Sequence, residues 1–101
     1  MKLKKTKKEN RKQKNLFEAF SSLSTARLAE SFLMDLCTPA ELEAMADRWA
    51  VVPLLEQGLS YRSIHAKTGV SLTTIGRVAR HMQFGHEGYA RVLKKVQPDA
   101  S

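Results

Sequence analysis

The stretch SYRSIHAKTGVSLTTIGRVARHM, residues 60–82, decides how the rest of the chain reads. Its apolar positions Ile64, Val70, Ile75 and Val78, with Gly69 between the first two, fit two short helices joined by a tight turn. That is the pattern of a helix-turn-helix. Gly69 supplies the positive φ that ends the first helix, and Val70 plugs the angle between the two. Ser71 caps the second helix by accepting a hydrogen bond from a backbone N–H of its first turn. The second helix, from Leu72 to about Gln83, then presents Leu72, Thr73, Gly76, Arg77 and Arg80 outward. Small, hydroxyl and guanidinium groups in that arrangement suit the major groove of DNA.

The charge map agrees with this reading. The chain has 101 residues and a formal charge of +7. Residues 1–15 carry eight Lys or Arg against one acid, Glu9, so the remainder is formally neutral. Within that remainder, residues 16–56 hold seven acids against Arg27 and Arg48. Residues 57–86 hold no acid and four cations, Arg62, Lys67, Arg77 and Arg80. The positive field lies on the helix-turn-helix, as expected of a reading head that approaches phosphates while an acidic body faces away.

A chain this short supports one domain and a single core, and an all-helical protein of this size often completes its core across a dimer interface. One cysteine, Cys37, excludes an internal disulfide and a Cys-based zinc cluster, and reads as a small buried hydrophobe. No apolar run approaches the length of a membrane span or a leader segment. The expectation is a soluble cytoplasmic protein without membrane contact.

Residues 1–15 lack apolar periodicity and read as a basic flexible arm, either a solvated tail or a segment that tracks DNA, and residues 16–101 form the domain. A first helix begins within the end of this arm and carries Leu16, Phe17, Ala19, Phe20 and Leu23. Ser24 caps a second, residues 25–37, with Leu28, Ala29, Phe32, Leu33 and Leu36 at helical spacing. Thr38-Pro39-Ala40-Glu41 is a capping box with proline at the first helical position, so a third helix starts there and runs to about Gln57, with Gly58 as its stop. Its Leu42, Met45, Ala46, Trp49, Val52 and Leu55 form a core stripe, and Pro53 predicts a kink or break at residues 50–53. Ser60 caps the first motif helix, residues 61–68, and a last helix covers residues 89–96. The fold class is all-α, with six helices.

Other chemistries find little support. His65, His81 and His86 have no cysteine or clustered carboxylate with which to hold a metal. No nucleophile–base arrangement, phosphate loop or paired carboxylate stands out, so neither an enzyme nor a cofactor is expected. Helix-turn-helix spacing also occurs in helical hairpins that grip proteins. The alternative reading is therefore a dimeric protein-interaction adaptor with only non-specific nucleic-acid contact, and a third is an RNA-binding protein driven by the lysine arm.

From about Leu16 to Val96 the chain resembles the Trp repressor superfamily, and within it the YerC/YecD-type members. The likeness rests on LFEAFSSL at residues 16–23, FLMDLCTPAELEAMADRW at 32–49, LSYRSIHAKTGVSLTTIGRV at 59–78 and GYARVL at 88–93. The resemblance implies a six-helix subunit whose first three helices interleave with those of a second copy. The resulting two-fold dimer would set two recognition helices in successive major grooves. It also implies that Arg62 reads a base edge and that Leu72, Thr73 and Thr74 form the base-facing turn. Arg48 and Arg77 match the pair that sandwiches an amino-acid corepressor, with Thr38 near the same site.

Three positions depart from the family pattern: Val78 stands where the repressor has a glycine that gives the ligand room, His65 where it has a phosphate-touching lysine, and Gly76 where it has a hydroxyl residue. The expected function is a homodimeric transcriptional regulator, a repressor on a palindromic operator, that does not respond to tryptophan. Its DNA-binding residues would be Arg62, His65, Lys67, Leu72, Thr73, Thr74, Gly76, Arg77 and Arg80, and a small-molecule effector pocket, if one survives, would involve Thr38, Arg48, Arg77 and Val78.

Overall fold

The structure, a computed structural model, describes residues 6–97. Among them it is all-α, with six helices in order: α1 Lys7–Ser21, α2 Ala26–Leu36, α3 Pro39–Glu56, α4 Tyr61–Thr68, α5 Leu72–Phe84 and α6 Gly88–Val96. The chain divides between Pro39 and Ala40 into two compact units.

In the first unit, α1 begins well inside the stretch that reads as an irregular arm. Thr6 and Glu9 form a reciprocal capping box: the Glu9 N–H donates to Thr6 Oγ1 at 3.1 Å and the Thr6 N–H donates to Glu9 Oε2 at 3.4 Å. Within the basic stretch residues 7–15 are thus helical, so the first helix starts earlier than its apolar residues indicate, and the cap announces it; residues 1–5 lie outside the described residues. The cap of α2 is Thr25 rather than Ser24, its Oγ1 accepting from the Leu28 N–H at 3.1 Å. Phe20 and Phe32 meet edge to face, ring centroids 5.7 Å apart. Neither α1 nor α2 buries a single residue fully.

The second unit holds the core: Val51 and Val52 of α3, Ile64 of α4, Val70 of the turn, Ile75 and Val78 of α5, and Leu93 of α6. Of the kink or break expected at Pro53, the break does not occur, for α3 runs unbroken from Pro39 to Glu56. An internal proline costs about 3 kcal/mol, since it removes one backbone bond and crowds the preceding turn. Against that, Val51 and Val52 are fully buried just before it, and Leu54 and Leu55 pack on the same core just after it. Burying each valine stabilises by about 1.5–3 kcal/mol, enough to carry the helix across the proline.

The end of α3 has the bonding of a Schellman motif. The Leu59 N–H donates to the Leu54 carbonyl at 3.2 Å and the Gly58 N–H to the Leu55 carbonyl at 3.0 Å, with Gly58 at φ +82°. The chain thereby reverses into α4. Trp49 packs on the core and faces Tyr89 of α6, ring centroids 6.4 Å apart, so the tryptophan is a core residue, as its place in the stripe predicts. Helix α5 packs against both α4 and α6.

Candidate nucleic-acid interface

The helix-turn-helix stands where residues 60–82 place it. Ser60 Oγ accepts from the Ser63 N–H at 3.1 Å to start α4, and Ser71 Oγ accepts from the Thr74 N–H at 3.1 Å to start α5. Gly69 adopts φ +76° and donates its N–H to the His65 carbonyl at 2.8 Å, which closes α4. Val70 is 5% exposed and fills the angle, while Ile64, Ile75 and Val78 beneath it are 0–1% exposed. The two helices are thus held by a dry core and two side-chain caps.

The turn carries further bonds that apolar spacing does not reveal. His65 Nδ1 lies 2.7 Å from the Val70 carbonyl. A carbonyl only accepts, so Nδ1 carries the proton and Nε2 is the nitrogen left for another partner. The Val70 N–H donates to Thr68 Oγ1 at 3.1 Å, and that hydroxyl donates to the Ile64 carbonyl at 2.7 Å. Both backbone groups of Val70 are therefore satisfied by side chains of α4. The bends of the turn are tied to α4 rather than left to solvent, and this fixes where α5 begins.

The surface of the motif is cationic. Arg62, His65 and Lys67 are exposed on α4, and Leu72, Thr73, Arg77 and Arg80 are exposed on α5. Leu72, the first residue of α5, is 49% exposed. Two residues sit otherwise. Thr74 is half-buried, its Oγ1 accepting from the Ser71 hydroxyl at 3.0 Å as part of the cap. Gly76 is half-buried too, and a Cβ built there would lie 3.8 Å from Tyr61 Cε2. Tyr61 and Thr68 belong to this site although the helix-turn-helix spacing does not single them out. The Thr-Gly end of α4 is a signal for the second, and the tyrosine next to Arg62 is one for the first.

The candidate effector residues are distributed as follows. Val78 is 1% exposed within the hydrophobic core, Arg48 is half-buried on α3 and Arg77 is exposed on α5. Thr38 belongs to the first unit. Among the described residues no helix is long and apolar enough to cross a membrane.

Comparison with known proteins converges on one group. The family model described as Trp repressor protein matches residues 11–97. The uncharacterized protein YerC of Bacillus subtilis (strain 168) is 35% identical over 82 residues, 81% of this chain and 79% of YerC. The crystal structure of a TrpR-like protein from Eubacterium eligens ATCC 27750 superposes with a TM-score of 0.76 at 36% identity, covering 82% of this chain and 86% of that one. The crystal structure of a candidate Trp repressor from Staphylococcus aureus gives 0.80 at 29% identity, covering 91% and 95%.

Proposed function

The chain belongs to the Trp repressor family, a family of DNA-binding regulators, and on that premise we propose that it is a transcriptional regulator that binds a palindromic operator as a homodimer and represses. The observation that carries this is the joining of exposed cations, in a stretch without acids, to a fixed turn. Arg62, Thr73 and Arg77 are exposed on two helices whose angle is held by Val70 and by the His65 and Thr68 hydrogen bonds. Arg62 forks onto a base edge, guanine O6 and N7 being the match for a guanidinium. Thr73 and Thr74 touch bases or phosphates at the start of α5, Lys67, Arg77 and Arg80 hold the backbone, and His65, its Nδ1 bound to the Val70 carbonyl, steadies the turn beside them.

Regulation by tryptophan is not part of this reading. The isopropyl group of Val78 is a core constituent, and its place among Ile64, Ile75 and Val52 supports a regulator that needs no indole ligand to set its reading helix. Dimerisation is supported by the first unit, where Phe17, Phe20, Leu28, Met34 and Leu36 remain 38–64% exposed. The cytoplasm is where such a protein would meet its DNA.

Selection from a random duplex library, followed by affinity measurements across salt, tests the reading. The expected result is a two-fold symmetric site. Arg62→Ala should weaken binding to it by about 1–3 kcal/mol and relax preference at one position per half-site. Equal loss on selected and random duplexes would remove Arg62 as a base reader. A library that yields no defined site would instead favour a protein-interaction adaptor.

A further inference from the structure

Gly76 lies in the middle of α5, where glycine weakens a helix. A side chain there would meet another element: Tyr61 Cε2 sits 3.8 Å from the Cβ position, an ordinary van der Waals contact. Cε2 is bonded to the hydroxyl-bearing carbon, so the outer end of the ring, not its stem, rests on the recognition helix. Residues three and four apart on a helix are neighbours, which places Leu72, Thr73 and Arg80 around Gly76. Tyr61 is still 45% exposed, and its hydroxyl makes no hydrogen bond among the described residues. It directly precedes Arg62, in a stretch without any carboxylate that would compete for a donor.

We propose that Tyr61 is a DNA-contacting residue, its phenol O–H donating to a phosphodiester oxygen beside the groove that α5 enters, with the edge of its ring beside Gly76. The proposal rests on the DNA-binding reading above. A phenol is a good donor to an anionic oxygen, and a ring braced against a helix loses little freedom on binding. Phosphate contacts of this kind set register and orientation and carry no sequence information themselves. The bond would thus fix how far α5 enters the groove, while Arg62 next to it reads the base.

Tyr61→Phe removes the hydroxyl and keeps the ring beside Gly76. On the selected operator, its affinity should fall about tenfold or more, and by the same factor on other duplexes. Its melting temperature should match the wild type. The decisive measurement replaces each phosphate of one half-site in turn by a neutral methylphosphonate. One replacement should weaken the wild type and leave Tyr61→Phe unaffected. Unchanged affinity of Tyr61→Phe, a melting temperature lowered by several degrees, or equal sensitivity of both proteins at every phosphate would each overturn the proposal. Arg62→Ala separates this from the broader reading. If the wild type selects no site and Arg62→Ala binds as it does, DNA reading itself fails and the Tyr61 contact with it; selective binding that responds to Arg62→Ala but not to Tyr61→Phe removes Tyr61 alone.

Discussion

Gly85 illustrates how much a single backbone position can decide. It follows α5, donates its N–H to the His81 carbonyl at 2.8 Å, and a Cβ built on it would collide with that same carbonyl oxygen. The neighbour is backbone inside a helix and cannot swing away. Gly85→Ala should therefore destabilise the protein by more than about 1 kcal/mol, because the native conformation there excludes a side chain. Thermal unfolding would register this as a melting temperature lower by about 4–8 °C per kcal/mol, whereas an unchanged value would show that the corner relaxes freely. Gly69 and Gly85 differ in legibility. Gly69 is flanked by apolar residues at helix-turn-helix spacing and its φ of +76° follows from that pattern, but nothing around Gly85 in the sequence marks a close backbone approach. The same holds for His65. Its ring reaches five residues along the chain to the Val70 carbonyl, a bond set by the turn's geometry and not by any local motif.

Among the elements, α2 to α6 are nearly all legible in the sequence, since each has an apolar stripe and a start or stop signal that places its ends to within a residue or two. Two features are not. Pro53 is a strong breaker in isolation, and only the complete burial of Val51 and Val52 beside it keeps α3 continuous. The first half of α1 is hidden because it has no apolar residue to give a period. Once it is helical, its charges take on an order that the linear run conceals. At 100° per residue, Lys7, Lys8, Arg11, Lys12 and Lys14 fall within an arc of about 160°, while Leu16, Phe17 and Phe20 fall largely outside it. Like charges three and four apart repel each other, so this face is destabilising until a polyanion neutralises it. Replacing the five cations by glutamine keeps helix propensity and removes the charge, a cleaner test than truncation, which would cut away half of α1. If the face tracks DNA, the slope of log K against log salt should flatten by about 0.9 for each phosphate that the helix no longer neutralises. An unchanged slope would make the basic face a solubility device.

Taken whole, the molecule spends its apolar residues unequally. The second unit closes a core of seven buried side chains around the reading motif, with no buried polar group among the described residues. The first unit closes none: Phe17 and Met34 are each 64% exposed, Leu36 is 48% and Leu28 44%. Apolar groups left in water gain about 25 cal/mol for each Å² removed from it, and monomeric proteins rarely display so many large ones close together in sequence. A second copy of the same chain is the occupant that the proposed function requires, because a palindromic operator is read by two equivalent heads. Such an interface would bury the α1 and α2 faces, and the stability of the chain would depend on its concentration. Sedimentation equilibrium should then give twice the chain mass, and the melting temperature should rise with protein concentration. Placing a charge in the face, as in the double variant Phe17→Glu and Met34→Glu, should shift the protein to monomers of lower melting temperature. The variant should also lose operator binding more than binding to random duplex, since a single head still meets phosphates but cannot span two half-sites. A wild-type chain that sediments as a monomer at all concentrations would break the link between this face and the two-fold reading.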